Sequence, residues 1–179
     1  MNRLISEGPF PFWGCSKKDE LTTLSVKKTR EHGPKDISEF RIVETVAMEA
    51  KKARPQPVWK IAYAGAIGGQ TMTGIPAIER LRENFPSLKV WPFDLPLAKL
   101  DAGGLGDTRV VVAEVLTTLS STNQQASEIR DEAQVRTLCE ALADRDANGK
   151  LGALFASEAK LTDPQKGAVT SEEGWILGI

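Results

Sequence analysis

The chain is poor in the residues from which most recognisable sites are built. It holds one histidine and two cysteines in 179 residues. Cys15 and Cys139 are far apart and form no C-x-x-C pair, so neither a metal knuckle nor a dithiol motif can be written from them. Both read as packing residues rather than nucleophiles. His32 lies in a charged loop with no partner at metal-ligand or triad spacing. No apolar run approaches the roughly 18 residues that a membrane span needs. Charge of one sign is lacking too: 23 basic and 24 acidic residues leave a formal net charge of −1. That excludes a global pull toward nucleic acid or an acidic membrane surface. The basic cluster "KKTREHGPK" (27–35) has no interleaved aromatics and reads as a solvated loop. There is no internal repeat, no low-complexity tract and no signal-like N-terminus. With so little cysteine, a reduced cytoplasmic setting is expected.

What is there is an ordinary globular composition, 41% apolar and 26% charged, in a chain long enough for a real core. Residues 1–37 are irregular and rich in Gly, Pro and Lys. Phe10, Phe12 and Trp13 are too apolar for a free tail, so a loop-rich but ordered arm is expected there. A single α/β domain is expected over 38–179. Phe40, Val43, Val46 and Ala47 recur at helical spacing to about Lys52. "VWKIAY" (58–63), "KVWPFD" (89–94) and "RVVVAEVL" (109–116) read as strands. A glycine-rich turn runs into a helix over 64–84. "DEAQVRTLCEALADRD" (131–146) reads as an amphipathic helix whose apolar stripe is Val135, Leu138, Cys139 and Leu142. "EEGWILGI" (172–179) reads as an edge strand or a packed tail. Strands alternating with helices imply an α/β fold with a mostly parallel sheet flanked by helices.

Two motifs invite a ligand and lack the parts to hold one. "GAIGGQTMTG" (65–74) joins a strand to a helix as phosphate loops do, but it fits neither G-x-x-x-x-G-K-[ST] nor G-x-G-x-x-G. Its glycines suit close packing of strand on helix. In "DRDANGKL", Asp144, Asp146, Asn148 and Gly149 follow a calcium loop, but Phe155 stands where the bidentate Glu is needed. A polar helix end, with Asn148 or Gly149 in the left-handed conformation, is the plainer reading.

Three carboxylates remain as candidates for chemistry. Asp94 closes "KVWPFD". Glu114 follows the apolar run of "RVVVAEVL", on the same face as Val110 and Val112 by alternation. Asp131 opens the amphipathic helix. In a parallel α/β sheet, ligands bind beyond the carboxyl ends of the strands, where Asp94 and Glu114 fall. Acids gathered there need a compensating cation. The structural alternatives are plain: an ion pair of Glu114 with Arg41 or Arg80, and a helix cap formed by Asp131 with Gln134.

The ordered set "FWGC" (12–15), "EFRIVE" (39–44), "VWKIAYAGAIGGQTMTGIPAIERLR" (58–82), "VWPFD" (90–94), "AEVL" (113–116), "DEAQVR" (131–136) and "EEGWILGI" resembles the C-terminal part of a bacterial protein family related to the DUF429 group. The resemblance implies a partial ribonuclease H-like, three-layer architecture. It also implies a longer N-terminal half, carrying further acids, that does not precede Asn2. Glu114 and Asp131 would be the retained catalytic and metal-holding acids, with Asp94 as a further ligand, for weakly held Mg²⁺ or Mn²⁺. Two-metal hydrolysis needs more carboxylates than these.

Two functions are therefore expected as alternatives. One is a truncated or split relative of a metal-dependent phosphodiester hydrolase, inactive as this chain alone. The other is a non-catalytic α/β domain for protein association, whose acids are structural. A half-sheet leaves a strand edge and apolar surface open. A homo-oligomer, or a separate chain supplying the missing half, is the expected partner. Nucleic acid stays open as a partner that the charge does not call for, and no membrane partner is expected.

Overall fold

Helical periodicity is realised where it is longest. The computed structural model describes residues 1–50, 54–117 and 123–179. Its helices are α1 (Asn2–Ile5), α2 (Ile42–Glu49), α3 (Gly68–Asn84), α4 (Ala102–Leu105), α5 (Arg130–Ala147) and α6 (Asp163–Ala168). Strands β1 (Leu88–Val90) and β2 (Val110–Val112) form a two-stranded parallel sheet. The chain is thus mixed helix and strand. Among the described residues, no helix is long and apolar enough to cross a membrane. Lys51 and Lys52, at the expected end of α2, and the "TL" that follows Thr117 lie outside the described residues.

The chain divides into two compact units: Met1–Arg41 with Arg54–Asn84, and Ile42–Ala53 with Phe85–Ile179. Residues 54–84 fall in the same compact unit as residues 1–41.

In the first unit the irregular arm is ordered by a polar staple. Asn2 is buried; its Nδ2 donates to the carbonyls of Phe12 (2.7 Å) and Thr23 (2.8 Å), and its Oδ1 accepts from Phe12 N (2.9 Å). Phe10, Phe12 and Cys15 are buried around it. The expected strand at 58–63 is not a strand. Trp13 N donates to Trp59 O and Ile61 N to Trp13 O, both at 2.9 Å, and the pairing goes no further than an isolated bridge to Lys60. The backbone turns at 58–59, and Tyr63 takes a positive φ of 73°. Among the described residues, no strand pairs with this segment for β-propensity to act on.

In the second unit β1 pairs with β2 in the register Leu88↔Val110, Lys89↔Val111, Val90↔Val112. Trp91 N still donates to Val112 O (2.9 Å), but Pro92 has no N–H to continue. The C-terminal segment takes over: Glu114 bridges Ile176 in parallel, and Leu177 N donates to Glu114 O at 2.9 Å. The expected packed tail is thus observed. Trp175, Ile176, Leu177 and Ile179 join Val43, Ala47, Trp91, Leu95, Leu100 and Val169 in one apolar core. Phe155 meets the Trp91 ring edge-on, with centroids 5.4 Å apart.

α6 starts on a capping box that the sequence spells as T-D-P-Q. Thr162 Oγ1 accepts from Gln165 N, and Gln165 Oε1 accepts from Thr162 N (2.9 Å). α5 ends as the plainer reading of "DRDANGK" requires. Gly149 takes φ +65°, its N–H donates to Asp146 O (2.9 Å), and Lys150 N donates to Arg145 O (2.7 Å). Asp144 and Asp146 are helical, so they do not lie in an ion-binding loop.

Candidate functional site

Alternation along 110–115 divides the side chains between two faces, and the core takes the odd-numbered one. Val111, Ala113 and Val115 pack against the apolar cluster. Val110 is 49% exposed, and Glu114 is exposed with it. The sequence places Glu114 with Val110 and Val112 correctly, but that face looks outward. A carboxylate in this run carries no burial cost, because it stands at the carboxyl end of β2 on the solvent side.

α5 shows the same choice between faces. Ala133, Thr137 and Leu138 are buried and Leu142 packs against the core, while Val135 and Cys139 of the expected stripe are exposed. Leu138 and Leu142 are as expected; the other two positions are corrected, since the helix turns Ala133 and Thr137 inward, with the Thr137 hydroxyl donating to Ala133 O at 2.7 Å. Asp131 is exposed. It is not the cap: α5 starts at Arg130 after Ile129, with no side-chain cap, and Asp131 lies in the first turn with Glu132. There both acids face the positive end of the helix dipole.

Asp94 closes a local turn. Its Oδ2 accepts from Val90 N (2.8 Å), and its own N–H donates to Val90 O (2.8 Å). Asp94 and Glu114 each make a further interaction as well. Among the described residues, no group of three or more His, Cys, Asp or Glu side chains is arranged to hold a metal ion.

Periodicity reading passed over one buried acid. Glu44 is 2% exposed on α2, between Val43 and Ala47. Its position on the apolar arc was legible, since residues 43, 44 and 47 share a helix face. Glu44 is partnered. The neighbouring Ile42 N–H donates to Glu173 Oε2 at 2.7 Å, which brings a carboxylate to the start of α2.

A charge cluster of this unit lies before and along α5. Arg136 Nε and Nη2 grip both Glu128 oxygens (2.6 and 2.9 Å), while Nη1 reaches Glu140 and Nη2 the Asn123 carbonyl. The Arg136 hydrogen bond, helped by the Gln125 N–H, holds the Glu128 carboxyl down to about 2 from an ordinary value near 4.5. A lowered carboxyl pKa contributes stability above its unfolded value and loses it as pH falls. This clamp should therefore be complete above about pH 4.5 and be lost by about pH 2. In Arg136→Gln, carboxyl NMR titration should show Glu128 returning toward 4.5. An unchanged titration would show that Arg136 does not set it.

In the first unit two cations of the basic cluster, Lys28 and Arg30, are neutralised by nearby acids. Lys28 bonds Glu39 (2.9 Å) and also Glu31, while Arg30 forks onto Asp36 at 2.5 and 2.9 Å. Burial, together with Glu20 and Asp19, pushes the Cys15 thiol up, which suits packing rather than nucleophilic work.

The fold and these groups define the class of protein no further than a mixed α/β chain with a small parallel sheet. No family model, no curated protein and no solved structure matches the chain.

Proposed function

We propose that this chain works by associating with another protein chain, and that its partner is a second copy of itself. The observation that carries the reading is α3. Of its 17 residues only Gly68 is buried. Met72, Ile75 and Leu81 are 36%, 64% and 43% exposed, and residues 68–78 carry no charge. A helix with Gly69, Gly74 and Pro76 in its interior is marginal in water alone and gains stability when its exposed apolar side chains are covered. A second copy suits it, because a formal net charge of −1 sets up little repulsion between copies.

Light scattering across about 5–500 μM, a range that captures weak association, should show the mass rising from one chain toward two. The double variant Ile75→Asp, Leu81→Asp should remain at one chain. Both side chains are exposed, so neither change disturbs the core. A native chain that stays single throughout would overturn the reading.

A second reading is favoured by a different observation, the parallel pair β1/β2 with Glu114 beyond its carboxyl end. It is a partial ribonuclease H-like phosphodiester hydrolase, in which Glu114 and Asp131 would be the acids that hold Mg²⁺ or Mn²⁺. Calorimetry separates the two. Association predicts equal, negligible heats for the native chain, Glu114→Gln and Asp131→Asn. Binding that both substitutions abolish would favour the hydrolase.

A further inference from the structure

A cavity of about 250 Å³ opens in the first unit, between the end of α1 and the loop after the basic cluster. Ile5, Phe10, Pro11 and Ile37 make it apolar, and Ser6 and Lys35 make its polar edge. The floor is preorganised. Phe10 and Pro11 are buried. The His32 ring lies 4.6 Å from Phe10, and the Arg30 guanidinium sits 3.6 Å from the Phe10 centroid. The rim is left open in an unusual way, since Ile5 and Ile37 are 42% and 55% exposed. Two branched apolar side chains line the one cavity.

The charge at the opening has a definite sign. Asp36 also lines the cavity, but its carboxylate is spent on Arg30 (2.5 and 2.9 Å) and on Gly33 N (2.7 Å). The Ser6 hydroxyl donates to Phe10 O at 2.5 Å. Lys35 is exposed and makes no hydrogen bond or ion pair among the described residues. The remaining charge at the mouth is therefore one ammonium group beside an apolar hollow.

We infer that this cavity binds a branched apolar group that carries a carboxylate, the apolar part between Ile5 and Ile37 over Phe10 and the carboxylate on Lys35. The inference is independent of the association reading. The volume of about 250 Å³ lies below the roughly 300–1,000 Å³ of pockets for drug-sized molecules, so it suits a small acid. Such a group could come from a free short-chain acid or from the C-terminal residue of a peptide, and the probes distinguish these.

The experiment is an NMR titration of the whole chain with 4-methylpentanoate, its neutral amide and the corresponding amine, followed by acetyl-glycyl-leucine. Shifts should gather at Ile5, Phe10 and Ile37. An exposed ion pair is worth little, so the acid should bind only about three- to fivefold tighter than the amide, with the amine weakest. Lys35→Met should bring acid and amide together, and Ile37→Asp should weaken the acid about tenfold by placing a charge in the apolar rim. Both side chains are exposed, so both variants should fold. Stronger shifts with the peptide would identify a chain terminus as the source, and weaker ones a free acid; either supports the site. No shift at those residues by about 20 mM, the limit of useful weak affinity, would overturn it. So would an amide that binds the native chain as tightly as the acid.

Discussion

Trp175→Ala should cost the second unit about 3–5 kcal/mol, the range for emptying a buried indole site. Trp175 is 1% exposed, and its Nε1 donates to the Ile179 main-chain oxygen at 2.9 Å. It packs among Ile176, Leu177, Val169 and α2, so its loss would undo the C-terminal segment. That segment also supplies the pairing of Glu114, through Leu177 N. Since a domain of this size holds only about 5–15 kcal/mol in total, one truncation should consume much of its stability. Trp175→Phe keeps most of the packing and gives up the hydrogen bond, so its cost should be about 1–2 kcal/mol. Chemical denaturation of the three proteins measures this. A Trp175→Ala midpoint within error of the native one would show that the C-terminal segment is not part of the core.

Gly68→Ala should destabilise the first unit by about 3 kcal/mol, at the upper end for overpacking. A Cβ there would lie 2.1 Å from Val58 O and 2.8 Å from Lys60 O, and both obstacles are backbone. The helix cannot retreat cheaply, because Gly68 N donates to Lys60 O at 2.9 Å. Gly74→Ala on the same helix is the control. Its Cβ meets nothing within 4 Å, so it should stabilise by about 0.5–1 kcal/mol through helix propensity. Hydrogen exchange at the Trp13 and Ile61 amides, which pair across the same turn, should rise in the first variant and not in the second. Equal behaviour of the two would remove close approach as the reason for glycine at 68.

That contrast explains part of what was legible. The glycine-rich turn was readable as a close approach of backbones, and Gly68 provides it. The phosphate reading failed in the sequence for want of the right spacing. "DRDANGK" likewise carried its own answer, because the ligand missing at Phe155 left the helix end as the simpler use of Asn148 and Gly149. The capping box at Thr162 and the buried position of Glu44 were there to be read as well, from T-x-x-Q spacing and helix periodicity. The two exposed isoleucines of the cavity were not readable. Ile5 and Ile37 are distant in sequence and meet only through the folded arm.

The sequence by itself determined the local structure of its long periodic segments. α3 and α5, and the apolar runs that became β1 and β2, follow from signals within a few residues of chain. Only the tertiary structure decided which face each element buries. Residues 110–112 are valine on both faces, and α5 can offer Val135 and Cys139 or Ala133 and Thr137. Neither run names its own inside. The choice falls to what lies opposite, the Trp175–Ile179 segment against residues 111–115 and the core beneath α5. These contacts join residues far apart in sequence, so they are fixed by close packing of the whole unit. That packing, not the residue pattern, turned Glu114 outward.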